Sequence, residues 1–136
     1  MSATDGDNGS ELATQNLAGR QVLVVEDTWH VAKALKAALE GIEMVVVGPV
    51  ARIADAERLL EMKCPDLAMV DVNLKGEMAY GLIDHLNLKG VRVIVVTGYA
   101  VLAHPVCKDA IVLQKPFSGR ALVAALQRAA GIGATR

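Results

Sequence analysis

Five short aliphatic runs, each followed by a stretch of helical periodicity or a loop, limit what this chain can become more than any other feature. Gln21-Val22-Leu23-Val24-Val25, Met44-Val45-Val46-Val47, Leu67-Ala68-Met69-Val70, Val91-Arg92-Val93-Ile94-Val95-Val96 and Ile111-Val112-Leu113 are short, continuous and mostly β-branched. That is the pattern of strands covered on both faces. Between the runs the period lengthens. Val31, Ala34, Leu35, Ala38 and Leu39 share a helix face after a cap at Thr28, with Gly41 placed to stop the helix. Ile53, Ala56, Leu59 and Leu60 line a second helix, Ala79, Leu82, Ile83 and Leu86 a third that ends near Gly90, and Leu122, Val123, Leu126 and Ala129 a last one capped by Ser118. Such alternation predicts a parallel sheet, because right-handed crossovers lay helices on both of its faces. The fold class is therefore α/β, a single doubly wound five-stranded parallel sheet.

A chain of 136 residues supports one domain of ordinary size. Its aromatic content of 3% requires an aliphatic core. With 14 Lys and Arg against 15 Asp and Glu, no basic excess points to nucleic acid as a direct partner. Cys64 and Cys107 lack the spacing of a zinc site or a disulfide framework and read as ordinary buried or half-buried thiols. Residues 1–19 are Ser, Thr, Asp, Gly and Asn with few apolar anchors, so a flexible tail is expected there, a domain over 20–130 and a short tail over 131–136. Neither a secretory signal nor a run of membrane-spanning length is present, and a cytoplasmic location is expected. Pro105 disfavours a regular helix between Ala100 and Asp109.

Chemistry is sought where open α/β sheets place their ligands, outside the carboxyl ends of the strands. The first run ends in Glu26-Asp27, the third in Asp71, the fourth in Thr97 and the fifth approaches Lys115. Singly, each has an ordinary explanation. An Asp after a strand commonly closes an Asx turn, and a lone Lys is commonly a solvated charge. Together they place three carboxylates, a hydroxyl and an ammonium on one sheet edge. Crowded carboxylates raise one another's pKa unless a cation sits among them, and an oxygen-rich, partly hydrated site suits Mg²⁺. The site expected is one for phosphoryl transfer, with Asp71 as nucleophile, Glu26 and Asp27 as metal ligands joined by Asp71 and the Asn73 backbone carbonyl, and Thr97 and Lys115 holding phosphoryl oxygens.

Val24-Val25-Glu26-Asp27, Val70-Asp71, Val96-Thr97-Gly98 and Lys115-Pro116-Phe117 together resemble the receiver domains of two-component response regulators, over about Arg20 to Ala130. The resemblance implies a flavodoxin-like strand order 2-1-3-4-5 and a Lys115–Pro116 bond that is usually cis. It also implies Mg²⁺-dependent transfer of a phosphoryl group to Asp71 from a sensor histidine kinase or phosphotransfer protein. Two positions depart from the usual pattern. Lys75 stands where many receivers have Pro, and Val112 where many have a switch aromatic. Thr97-Gly98-Tyr99 resembles the Thr-Gly-Tyr subgroup, called FAT GUY, though Val95-Val96 replaces its Phe-Ala. That subgroup is often stand-alone and paired with HWE or related kinases, and it makes Tyr99 the candidate switch.

A stand-alone receiver would signal through a downstream protein target, with homodimerisation left open and no enzymatic turnover beyond its own phosphorylation and dephosphorylation. Two readings from other classes compete with it. A hydrolase working through an aspartyl phosphate commonly has a second acid two residues after the nucleophile, where this chain has Asn73. A phosphorylation-independent binding module would leave the acidic pair and Asp71 without a purpose.

Overall fold

The computed structural model describes residues 16–98 and 110–131. Strands β1 (Gln21–Val25), β2 (Val45–Val50), β3 (Leu67–Asp71), β6 (Arg92–Thr97) and β7 (Ile111–Gln114) form one parallel sheet in the order β2-β1-β3-β6-β7. Counting the five parallel strands alone, this is the 2-1-3-4-5 order. A separate antiparallel hairpin, β4 (Asn73–Leu74) with β5 (Glu77–Met78), follows β3 directly. The described residues contain four helices: α1 (Trp29–Gly41), α2 (Ile53–Met62), α3 (Tyr80–Leu88) and α4 (Gly119–Ala129).

Side-chain alternation along the strands divides the core in two. Val22 and Val24 of β1, Leu67 and Met69 of β3, and Ile94 and Val96 of β6 pack with Leu35 and Leu39 of α1 and Leu122 and Leu126 of α4. Their neighbours Leu23, Val25, Ala68, Val70, Val93 and Val95 pack with Ala56 and Leu60 of α2 and Leu82, Ile83 and Leu86 of α3. Central strands buried on both sides need the continuous aliphatic runs seen in the sequence, since a polar residue on either face would lose its water without a partner.

Several local expectations are corrected. The run at Met44–Val47 is an edge strand, partly exposed along its length and extended to Val50. Its pairing with β1 shifts register between Leu23 and Val25, so Gly48 and Pro49 form an irregularity. Gly48 takes φ +96, and a Cβ there would stand 2.9 Å from the Val50 nitrogen. Thr28 occupies the N-cap position of α1 without capping through its hydroxyl. Ala34 and Ala38 are exposed, and Ala32 is the buried alanine of that helix. Ser118 does cap α4, accepting from the Ala121 N–H at 3.0 Å.

Leu17 is fully buried in the α1/α4 core, anchored by an Arg20 N–H bond to the Leu17 carbonyl at 3.1 Å. Leu17 thus packs with the domain although it lies within the stretch expected as a tail over 1–19. Cys64, read from the sequence as a buried or half-buried thiol, is exposed, and Cys107 lies outside the described residues.

Two variants test this account. Leu126→Ala, which empties a fully buried position, should lower stability by about 2–5 kcal/mol in urea unfolding. Gly48→Ala should cost about 1–3 kcal/mol, because it meets both an unfavourable φ and the Val50 backbone. A neutral result at Gly48 would mean the irregularity relaxes freely.

Candidate functional site

The parallel register brings the strand tips level. Val25 pairs with Val70, and Asp71 pairs with Val96, so Glu26, Asp71 and Thr97 emerge side by side at one edge of the sheet. Lys115 joins them because its N–H donates to the Thr97 carbonyl at 2.8 Å. Carboxylate oxygens of Glu26, Asp27 and Asp71 all lie within 4.8 Å of one another. Glu26, Asp71 and Thr97 are buried, with 3%, 7% and 0% of their surfaces exposed, while Asp27 is half-buried.

The Lys115 ammonium bridges the two buried acids. Its Nζ stands 3.0 Å from Asp71 Oδ2 and 3.0 Å from Glu26 Oε1, and it donates to Glu26 Oε2 at 3.3 Å. Backbone groups supply further donors. The Thr28 N–H donates to Glu26 Oε2 at 3.1 Å, and the Asn73 N–H donates to Asp71 Oδ1 at 3.0 Å. These bonds fix the carboxylates in place.

Burial pushes the Glu26 carboxyl above its ordinary 4.5, with Asp71 adding to the effect, and the bonds from Lys115 and Thr28 only partly oppose it. For Lys115 burial acts downward, but the hydrogen bonds to Asp71 and Glu26 outweigh it and hold the ammonium above its ordinary 10.5. Glu26 Oε1 remains buried without a hydrogen bond, even though Lys115 Nζ lies 3.0 Å from it. An unsatisfied buried carboxylate oxygen beside two further carboxylates is a donor set that fits a hard divalent cation such as Mg²⁺.

Asn73 begins the hairpin that leaves the site. Its side-chain oxygen accepts from the Gly76 N–H at 2.7 Å, closing a two-residue turn in which Lys75 and Gly76 have φ +53 and +90. Positive φ at both central residues is what a tight hairpin turn of matching twist requires. The sequence expects a simple loop here. The signal it contained was Lys75-Gly76 between two short extended dipeptides, too brief to stand out from a loop. Lys115–Pro116 is cis, as the resemblance implies, and so is Gly48–Pro49. Trp29 is 66% exposed, with Lys33 Nζ 4.8 Å from its ring centroid. Tyr99 and the Ala100–Asp109 segment lie outside the described residues.

A five-stranded doubly wound sheet carrying an acidic cluster and a lysine at its strand tips defines a protein of the receiver type. The comparisons agree. The response regulator receiver domain model matches residues 22–127, and the chain belongs to that family. Among solved structures, SdrG from Sphingomonas melonis Fr1 is 31% identical with a TM-score of 0.73, the match covering 84% of this chain and 98% of that one. A CheY-like receiver domain from Methylobacillus flagellatus is 24% identical with a TM-score of 0.73, over 82% of this chain and 99% of that one. The response regulator PhyR from Brucella abortus, 19% identical with a TM-score of 0.76, is matched over 93% of this chain and 53% of its own length. No curated protein matched the sequence. No helix among the described residues is long and apolar enough to cross a membrane.

The raised Glu26 pKa sets the sign of a pH effect. The folded state holds this proton more readily than the unfolded chain, so the group's contribution to stability is full below the ordinary 4.5 and is lost as pH rises through the raised value. Without divalent metal, Glu26→Gln should therefore melt above the wild type at pH 8, with the gap closing toward pH 4.5. Thermal unfolding of both proteins across that range checks it, and a gap of opposite sign would contradict the assignment.

Proposed function

We propose that this chain is a response regulator receiver that takes a phosphoryl group onto Asp71 from a phosphohistidine of a sensor kinase or phosphotransfer protein. The reading rests above all on Lys115 Nζ lying 3.0 Å from Asp71 Oδ2 within a cluster of three carboxylates. An Asp71 carboxylate oxygen attacks phosphorus, the phosphorus–nitrogen bond breaks, and the departing imidazole keeps the electron pair and takes a proton from solvent. Lys115 neutralises charge on the phosphoryl oxygens, the Thr97 hydroxyl donates to one of them, and the Asn73 N–H holds the acceptor carboxylate in position. Glu26, Asp27, Asp71 and the Asn73 carbonyl would hold Mg²⁺, which would supply the positive charge that lets an anionic donor approach an anionic acceptor.

Asn73, two residues past the acceptor, carries no carboxyl to activate water, which favours a persisting acyl phosphate over turnover of external esters. The added charge of about −2 beside Lys115 biases the neighbouring loops and so a protein-binding surface. Thr97-Gly98-Tyr99 resembles the motif of the Thr-Gly-Tyr receivers, which supports Tyr99 as the candidate switch residue. Output is through contact with a downstream protein.

Incubation with phosphoramidate and Mg²⁺ should place one phosphoryl group on the wild type that is labile to acid, base and hydroxylamine. Asp71→Asn and chelation of the metal should each abolish the label, and Lys115→Ala should slow labelling by at least about tenfold, the loss of one charge-assisted bond. Phosphate esters turned over without a labelled protein would favour the hydrolase. Mg²⁺ binding should also change the fluorescence of Trp29, the one tryptophan of the chain, two residues from Asp27.

A further inference from the structure

Beside the acidic cluster lies a cleft of about 630 Å³, lined by Asp27, Arg52, Leu74, Lys75 and Glu77 together with Ala51 and Gly76. One wall is the turn before α2, which carries Arg52 at the N-cap position. The opposite wall is the β4–β5 hairpin, which carries Lys75 at its tip. Asp27 belongs both to this cleft and to the carboxylate cluster, so the cleft opens directly onto the place where a phosphoryl group would be delivered.

The lining carries two cations, Arg52 and Lys75, and two anions, Asp27 and Glu77, and the two cations are not paired within the fold. Neither Arg52 nor Lys75 has an ion pair or side-chain hydrogen bond among the described residues, unlike Lys115 and Lys36. The turn that carries Lys75 has φ values of +53 and +90 at its central residues and is closed by the Gly76 N–H bond to the Asn73 side chain. With Asp27 engaged by a divalent cation, the cleft would carry net positive charge from the rest of its lining, Arg52, Lys75 and Glu77. Its size is that of a pocket for a group far larger than phosphate. A guanidinium and an ammonium on facing walls suit a carboxylate, which Arg binds through two parallel bonds.

We propose that Arg52 and Lys75 form a subsite for a carboxylate side chain that lies next to the phosphohistidine of the donor protein. The proposal rests on Asp71 being the phosphoryl acceptor. It makes the donor's immediate sequence, and not only its docking face, a determinant of transfer. The expected sign is opposite to that of the site without these cations, because Glu26, Asp27, Asp71 and Glu77 would repel an acidic donor.

The test uses two chemically phosphorylated histidine peptides that differ only in a Glu or a Gln beside the phosphohistidine, with phosphoimidazole as a donor that has no neighbouring group. Rates of Asp71 labelling are measured on the full chain with Mg²⁺. The wild type should take phosphoryl about tenfold faster from the Glu peptide, the discrimination of one charge-assisted hydrogen bond, and the advantage should shrink with added salt. In the double variant Arg52→Gln with Lys75→Asn, a residue at ease at positive φ, the ratio should fall to one or below. Equal rates from the two peptides in the wild type, or a preference that persists in the double variant, would overturn the subsite. Failure of phosphoimidazole to label wild-type Asp71 would instead remove the acceptor assignment on which it rests.

Discussion

The ammonium of Lys115, wedged between the buried carboxylates of Asp71 and Glu26, is the interaction on which the rest of the structure turns. Removing two acids from water is costly unless charge of the opposite sign accompanies them. The sheet imposes that cost by ending β1 and β3 level with one another, and the end of β7 answers it by delivering a lysine to the same point. The compensation is incomplete. Glu26 keeps an oxygen without a hydrogen bond and a pKa above the ordinary carboxylate value. A site left short of positive charge in this way is poised to take up a cation.

The construction separates a rigid floor from an adjustable rim. The floor is made of strand tips held by the two-sided aliphatic core, so the relative positions of Glu26, Asp71 and Thr97 follow from sheet register and not from loop conformation. The rim is made of the turn at Arg52, the hairpin at Lys75 and the helix start at Trp29. The phosphoryl transfer proposed for this site would need its acceptor closely fixed, whereas recognition of a donor would fall to the residues around it. This division lets one scaffold keep its chemistry while changing its partners.

Much of the fold was legible in the sequence because central strands of a doubly wound sheet must be aliphatic on both faces, and the runs at Val22, Leu67 and Ile94 declared it. The strand-end positions of Glu26, Asp27, Asp71, Thr97 and Lys115 followed from the same runs. Legibility failed where an element lacks a partner on one side or is too short to show a period. Val45–Val50 reads as buried but is an edge strand, because β-branched residues alone do not tell an edge from a centre. Ala34 and Ala38 fit the helical stripe yet are exposed, alanine being equally at home on either face. The two-residue strands of the hairpin have no periodicity to read. Leu17, one apolar residue in a polar stretch, gave no sign that it plugs the core. The cleft between Arg52 and Lys75 is formed by residues 23 positions apart in the chain, and only the tertiary arrangement places them on facing walls.

The irregularity in β2 has a consequence for how the molecule behaves in a crowd of its own copies. The outermost strand of an open sheet offers unsatisfied main-chain donors and acceptors, and a β-branched stretch such as Val45-Val46-Val47 would invite another chain to add itself there. Gly48 leaves the straight path with φ +96, and Pro49 contributes no N–H, so the row of groups is cut short after three residues. The break that carries the chain toward the Arg52 wall thereby also caps the exposed border, guarding against the stacking of one sheet onto the next.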